Sequence, residues 1–333
     1  MTASAPRDDI SVVLCAYTEA RWNDLVAAVQ SVRLQTLPPR EIIIVIDHNP
    51  ALLERVRAEI PGVLVIENQQ ARGESGGRNT GTAAALGSIV VFLDEDAVAE
   101  PDWLEQLTAH YRNPQVLGVG GSIEPVWVTG RPSWFPEEFN WIVGCTYKGM
   151  PLTTARVRNL IGANMSFRRW VFMELGGMRA EIGRVGTKPL ADAETEFSIR
   201  VGQHWPQHML LYEPRARVHH RVPAVRAQWN YFCSRSYSEG MGKARVALLV
   251  GARDGLASER TYTFRTLPLG VVRGLTDTLF HLDLAGVRRA GAIVTGLAIT
   301  TAAYVRFRVA HRFGAGEGAA SNEVKATPTG PAQ

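Results

Sequence analysis

The amino-acid sequence predicts an α/β fold, a mostly parallel sheet flanked by helices, with a helical extension at its C-terminal end. Three observations lead there. From Ile10 to Leu93, short β-branched apolar runs alternate with stretches of helical apolar spacing, the βαβαβ order that gives a parallel sheet. The last of these runs, Val90-Val91-Phe92-Leu93, delivers three acids, Asp94-Glu95-Asp96, to its C-terminal end, the edge at which open α/β sheets bind ligands. Beyond residue 260, helical apolar runs edged with arginine replace the alternation. With 333 residues, 46% of them hydrophobic, the chain can bury a large core. It divides into a domain over residues 10–250, helices over 260–313 and a disordered Gly/Ala/Ser/Pro-rich tail over 314–333.

Ile10 to Tyr17 reads as a first buried strand, and Trp22 to Arg33 as a helix through Leu25, Val26, Val29 and Val32, stopped by Pro38-Pro39. Ile42 to Asp47 is a second strand ending in an acid, Leu52 to Ile60 a short helix, and Val63 to Ile66 a third strand. Gly73 to Gly81 reads as a flexible, glycine-rich connection into a helical run from Thr82 to Leu86. Its spacing fits neither Gly-x-Gly-x-x-Gly nor Gly-x-x-x-x-Gly-Lys-Ser/Thr. Carrying Arg72 and Arg78, it suits phosphate oxygens or is a plain turn into a helix.

The packed acids Asp94, Glu95 and Asp96 repel one another and would be driven toward protonation unless a cation neutralised them. A divalent metal on oxygen ligands is the natural partner, and an acidic loop after a strand the simpler alternative. Val116 to Ile123 is strand-like. Thr129 to Asn140, with Trp134, Phe135 and Phe139, is an aromatic loop suited to an acceptor platform or to hydrophobic packing. Asn159 to Phe167 reads as a strand, Arg168 to Leu175 as a helix stopped by Gly176-Gly177, and Ala191 to Val201 as a helix whose acidic first turn suits its dipole. Tyr212 to Val222 is a strand with His219-His220 near its end, followed by a helix over Gln228 to Ala247. The apolar run Ala290 to Val305 has 16 residues, fewer than the ~20 a spanning helix needs. With Pro268 to Leu284 it forms a helical pair at a membrane interface, arginines on the headgroups, or a soluble hairpin covering the sheet.

The net charge is +4 with a pI near 9.1, and the 36 basic residues comprise four lysines and 32 arginines. Acids thin out after residue 260, so the C-terminal end faces anions. Nucleic acid is not an expected partner, because the arginines are scattered and no binding module occurs. Cys15, Cys145 and Cys233 are far apart and lack metal-site spacing, which predicts reduced thiols in a cytosolic setting. Met1 to Asp9 lacks the basic and apolar regions of an export signal. The expected location is cytoplasmic, peripheral at the inner face of the cell membrane.

Several of these segments, taken in order, resemble the family 2 glycosyltransferases of GT-A fold over residues 10 to 250. Ser11 to Glu19 is similar to the family's opening strand and Tyr-Asn-Glu turn, and Ile44 to Asn49 to its Val-Val-Asp-Asp strand end, with His48 in place of the second acid. Gly77-Arg78-Asn79-Thr80-Gly81 matches Ala-Arg-Asn-x-Gly, Phe92 to Asp96 its Asp-x-Asp, and Gly162 to Arg168 with Gly176-Gly177 the stretch before the catalytic helix. The resemblance implies that Ala16, Tyr17, Glu19 and Asp47 hold the base and ribose of a nucleotide-sugar. Arg78 and Asn79 would fix that half, and Asp94 and Glu95 would face the donor. Asp96 would ligate Mg²⁺ or Mn²⁺ bridging the diphosphate, with His220 near the metal or else a lone histidine.

Asp192-Ala193-Glu194-Thr195-Glu196 is similar to the family's Glu-Asp-x-Asp/Glu region, whose carboxylate deprotonates the acceptor. Here Ala193 replaces the first acid and Glu194 the aspartate, so Glu194 is the expected base and Asp192 the second choice. One base and direct attack imply inversion at the anomeric carbon. Trp141 to Tyr147, Gly162 to Phe167 and Arg235 to Ala244 look most like the glucosyl-dolichyl-phosphate glucuronosyltransferases within the family. That implies a UDP-sugar donor, UDP-glucuronate or UDP-glucose, and a polyprenyl-linked or other glycan acceptor. A nucleotidyltransferase acting on a sugar phosphate, or a non-catalytic nucleotide-sugar-binding protein, are the alternatives.

Overall fold

The computed structural model describes residues 9–180, 192–255 and 261–322. Four strands, β1 (Ile10–Ala16), β2 (Glu41–Ile46), β3 (Leu64–Glu67) and β4 (Ile89–Leu93), lie in the order β3-β2-β1-β4 with every pair parallel. Successive side chains of an extended strand point to opposite faces, so each apolar run feeds two cores. Val12, Leu14, Ile44 and Val91 pack with α1 (Trp22–Arg33) and α2 (Pro50–Glu59) on one face, while Val13, Val45, Val90 and Phe92 serve the other. Helix α2 begins ahead of the expected Leu52 because Asn49 caps it, its Oδ1 accepting from Leu52 N at 3.1 Å, and Pro50 occupies the first turn.

The glycine-rich segment differs from the expected loop, being itself helix α3 (Glu74–Ala84). Its glycines serve close packing rather than flexibility. A Cβ on Gly77 would lie 3.0 Å from Cys15 Sγ, and one on Gly81 would run into the Val13 side chain. The backbone of α3 therefore rests directly on β1 and β2.

Strand β5 (Ala97–Ala99) follows the acids, and α4 (Trp103–Thr108) leads to the long β6 (Val116–Trp127). Strands β7 (Ala155–Val157), β8 (Asn164–Arg168) and β9 (Met209–Val222) complete a nine-stranded sheet, ordered β3-β2-β1-β4-β8-β6-β9-β5 with β7 on β9. This half is mixed: β8 runs antiparallel to β4 and β6, whereas β6 and β9 pair in parallel across a register shift between Gly121 and Ser122. Helices α5 (Arg169–Leu175) and α6 (Ala193–His204) cover the second face, where Phe172 and Phe197 stack at 4.3 Å.

Among the described residues, three long helices follow, α7 (Trp229–Val250), α8 (Leu267–His281) and α9 (Leu284–Asn322), with a short helical turn at Ala252–Gly255 after α7 and a π-helical turn at Tyr262–Thr266 before α8. The aromatic loop packs under them: Phe135 and Phe139 are buried, with ring centroids 5.7 and 5.2 Å from Phe232 of α7. Helix α9 seats on α7 through Thr300, whose Oγ1 donates to the Ser236 carbonyl at 3.0 Å, and the α8–α9 hairpin closes where Gly274 and Gly286 let two backbones touch. Its outer face is apolar, with Leu279, Phe280, Leu282 and Leu284 between 71% and 83% exposed. Within α9, Leu284–Arg312 is long and apolar enough by length and composition to cross a membrane, although one face is packed on protein. Of the tail expected from Gly314 onward, residues 314–322 continue this helix and the remainder lies outside the described residues.

Candidate active site

A cavity of about 420 Å³ opens at the C-terminal ends of β1, β2 and β4 and extends to α7 and α9. Ala16, Tyr17, Asp47, Arg78, Asp94, Glu95, Asp96, Asp192, Glu194 and His220 all line it. Ten of the twelve residues singled out in the sequence therefore meet in one place. Two do not line it. Glu19 is exposed in a short 3-10 turn beyond β1. Asn79 spends its amide elsewhere, Nδ2 donating to the Met178 carbonyl and Oδ1 accepting from Met178 N, both at 2.8 Å. It ties α3 to the Gly176-Gly177 turn.

Asp47 is held by its surroundings. Its Oδ1 accepts from Asn68 Nδ2 at 2.7 Å and its Oδ2 from Gly73 N at 3.0 Å. Residue His48 follows at φ +52°, a left-handed conformation uncommon for a side-chain-bearing residue, and its Nδ1 lies 2.9 Å from Asp47. Arg78 is buried between Glu74, with which it pairs closely, and Asp94 at 3.1 Å. Gly162 gives its guanidinium room, since a Cβ there would lie 2.7 Å from Nη2.

After β4 the chain turns, Ala97 N donating to the Asp94 carbonyl at 3.1 Å, and the three acids fan apart. Asp94 faces Arg78, Glu95 meets Arg21 Nη1 at 2.6 Å, and Asp96 meets Arg21 at 3.1 Å through Oδ2 and His220 Nε2 at 3.1 Å through Oδ1. Burial and the adjacent Asp96 push Glu95 up to about 7 against the pull of Arg21. Burial works against charge on Asp96 as well, yet His220, Arg21 and Arg226 hold its carboxyl below the usual carboxylate range.

Arg21 and Arg226 were not singled out in the sequence. Arg21 lies four residues beyond Tyr17, over whose ring its guanidinium sits at 5.4 Å, and a basic side chain in the turn after a strand end was the available signal. Buried Arg226 sits in a 3-10 turn after β9 and carried none.

Asp94, Asp96 and His220 each present a ligand atom, all within 4.8 Å of one another. Two carboxylates and an imidazole form a donor set that suits Mn²⁺ or Mg²⁺. Arg21 and His220 already compensate Asp96, with His220, despite its burial, raised to about 10 beside it, so a metal taken up there would displace the proton that His220 carries.

Glu194 lies in the first turn of α6, where burial and Glu74 push it up to about 8 against the pull of Arg78. Asp192, the residue before α6, is buried with its carboxyl against Gly242 of α7. Burial and Glu239 push it up to about 7 against Lys243, Arg235 and Arg245. Glu196 is fully buried and held by Arg200, whose other nitrogens reach the carbonyls of Leu175 and Gly177. It fixes the helix rather than facing the cavity.

The Glycosyl transferase family 2 model matches residues 11–176. A glucosyl-dolichyl phosphate glucuronosyltransferase of Haloferax volcanii is 37% identical over 244 residues, 72% of this chain and 78% of that protein. Among solved structures, a mannosyltransferase of Pyrobaculum calidifontis in complex with GDP-Man and Mn²⁺ superposes with a TM-score of 0.54 at 15% identity, covering 87% of this chain and 86% of that one. GalNAc-T7 with UDP, GalNAc and Mn²⁺ gives 0.50 at 17% identity, covering 74% of this chain and 54% of that one. At such identities these two speak for the fold, a sheet flanked by helices of GT-A type. Likeness over most of the length of both this chain and its Haloferax relative, together with the family match from β1 through α5, means that the chain belongs to glycosyl transferase family 2.

Proposed function

We propose that this glycosyltransferase moves a sugar, with inversion, from a UDP-sugar to a hydroxyl of a polyprenyl-linked acceptor at the inner face of the cell membrane. The observation that carries the reading is that Asp47, Asp96 and Glu194, from three distant parts of the sequence, line one cavity. Tyr17 and oriented Asp47 bind the base and ribose of the donor, and Arg78 and Arg21 offer guanidinium groups to its diphosphate. Asp96, His220 and Asp94 would hold a divalent cation, which supplies positive charge for the leaving nucleoside diphosphate.

Glu194 takes the proton from the acceptor hydroxyl. That oxygen bonds to the anomeric carbon as the bond from this carbon to the diphosphate oxygen breaks, and UDP leaves with the electron pair. A single displacement with one base inverts the configuration. Held near 8 in the absence of donor, Glu194 is basic enough to accept that proton and still ionises near neutral pH. The Haloferax relative's name supports UDP-glucuronate as donor and a lipid-phosphate glucoside as acceptor. The exposed apolar face of the α8–α9 hairpin and the flanking Arg288, Arg306, Arg308 and Arg312 support docking on the membrane that holds such a lipid.

A panel of UDP-sugars and GDP-mannose, scored by nucleoside diphosphate release with Mg²⁺, Mn²⁺ or chelator present, tests the reading. The expected result is metal-dependent UDP release that requires a prenyl-linked acceptor. Pyrophosphate as the product, formed from a sugar phosphate and a nucleoside triphosphate, would instead identify a nucleotidyltransferase.

A further inference from the structure

We propose that Arg235 and Lys243 of α7 clamp the phosphate that joins the acceptor sugar to its lipid, making them specificity-determining residues for the acceptor. This rests on the transfer reading above and adds the acceptor's own site to it. The cavity does not end at the base. Past Glu194 and Asp192 it continues between α7 and α9, with Arg235, Glu239 and Lys243 on one wall and Leu297, Thr301 and Tyr304 on the other. A spacing of four residues keeps the three α7 side chains on one stripe of the helix.

The charges fall in order along this cavity. Asp94 pairs with Arg78, Arg78 acts on Glu194, and Asp192, two residues before the base, lies on Gly242, next to Lys243. The α7 cations therefore stand beyond the base, on the side away from the donor acids. An acceptor hydroxyl presented to Glu194 would carry the rest of its sugar, and the phosphate on that sugar, toward them.

Lys243 is already positioned, its Nζ 3.0 Å from Glu239 Oε1, with the two side chains only 22% and 17% exposed. Asp192 and Glu239 are the carboxylates beside these cations, and Arg235 and Lys243 both line the cavity, so a phosphodiester on the acceptor would meet two basic side chains. A neutral glycan would need no such charge there. Arginine binds phosphate through two parallel N–H donors and lysine as a point charge. From this pair the cavity reaches Leu267 and Leu297, at the root of the hairpin whose outer face is apolar, so a prenyl chain leaving the phosphate would meet apolar surface.

The test compares three acceptors in detergent with UDP-glucuronate and Mn²⁺: glucose joined to farnesol through a phosphodiester, farnesyl glucoside without phosphate, and glucose 1-phosphate without lipid. Arg235→Gln/Lys243→Gln is expected to raise KM for the phosphodiester about 10- to 100-fold, with little change for farnesyl glucoside. The affinity for UDP stays at its wild-type value, which shows that the variant is folded even though loss of the Lys243–Glu239 pair lowers its melting temperature, and Lys243→Arg retains most of the wild-type KM. A parallel loss for glucose 1-phosphate marks the phosphate itself as the group held. Loss confined to the phosphodiester marks the lipid-linked phosphate. Equal loss for phosphodiester and phosphate-free glucoside, or none for either, overturns the clamp while leaving the transferase reading intact. If the wild type transfers to none of the three yet binds UDP, the transfer reading fails and the clamp with it.

Discussion

His220 Nε2 lies 3.1 Å from Asp96 Oδ1 because strand β5 pairs antiparallel with β9, setting Ala97 opposite His220. The pairing continues as Arg221 N donates to the Asp96 carbonyl at 2.9 Å. Asp96 is thus fixed through its backbone and both carboxylate oxygens before any donor binds. Two residues 124 positions apart in sequence are joined by sheet register, which makes the acid and the imidazole one unit.

Asp96→Asn keeps the shape of the side chain and removes its charge. Sugar transfer should fall by at least about 100-fold, the scale of losing one charge-stabilising group in an active site. His220→Gln should weaken Mn²⁺ binding about 10- to 100-fold, as loss of a ligand or its support does. Calorimetric titration with Mn²⁺ and UDP checks both. Full turnover by Asp96→Asn in the presence of chelator would rule out a metal at this acid.

As the proposed base, Glu194 would work only when ionised, and its pKa is raised to about 8. In the free enzyme, kcat/KM should therefore climb about tenfold per pH unit below 8 and level off above it. Glu194→Gln should lower the rate by about 100- to 10,000-fold and abolish the slope. Stability runs the other way. Between the ordinary value of 4.5 and about 8 the folded chain keeps a proton that the unfolded chain releases, so this group makes the fold less stable as pH rises through that window. A flat rate profile across pH 6 to 9 would remove Glu194 from the role.

The parallel half of the sheet was legible because β1, β2 and β4 are largely apolar runs rich in β-branched residues, and the acids were legible because they end such a run. Asp47 could be placed for the same reason. Helix α3 was not legible, since glycines normally punctuate a chain. Only the approach of Gly77 to Cys15 and of Gly81 to Val13, from strands far away in sequence, explains them. Asn79 sits in the same motif as Arg78, yet the neighbouring helix position turns its amide to Met178. Glu19 and Arg21 differ in placement because a short 3-10 turn leaves one exposed and sets the other over Tyr17. The parallel pairing of β6 with β9 depends on contacts that no local pattern encodes.

The glycines also separate two energetic cases. Gly81→Ala would gain helix propensity but drive a methyl into the buried Val13 and Val45, for a net loss of about 1–2 kcal/mol. Gly202 of α6 has open space where a Cβ would go, and Gly202→Ala should stabilise by about 1 kcal/mol. Thermal melts of the two variants should shift in opposite directions. Equal shifts would mean that the packing of α3 on β1 is looser than the backbone approach indicates.

If the hairpin docks on lipid, charges on its outer face should release it. Phe280→Asp with Leu284→Asp changes side chains that are 77% and 71% exposed and so should spare the fold. Binding to anionic vesicles in a flotation assay should drop by at least about tenfold, since burying these side chains is worth about 1.5–3 kcal/mol each. Unchanged flotation would leave the apolar face without a membrane role.

The hairpin is also tied to the aromatic loop through charge. Glu138 is buried, pairs closely with Arg273 of α8 and sits 2.5 Å from where a Gly270 Cβ would be, while its carbonyl accepts from Tyr262 Oη at 2.6 Å. Tyr262 Oη in turn accepts from Trp141 Nε1 at 2.8 Å. Arg273→Met leaves the Glu138 carboxylate buried without its cation. The cost should be about 2 kcal/mol, below the roughly 3–5 kcal/mol of a wholly buried pair because the Arg273 side chain is 40% exposed. Adding Glu138→Gln removes the stranded charge and should recover at least half of the loss, so the double variant is more stable than Arg273→Met alone. Hydrogen exchange should localise the effect of Arg273→Met to residues 137–143 and 262–281, where the loop meets the hairpin. Destabilisation that is strictly additive across the two substitutions would mean that the ion pair does not hold these segments together.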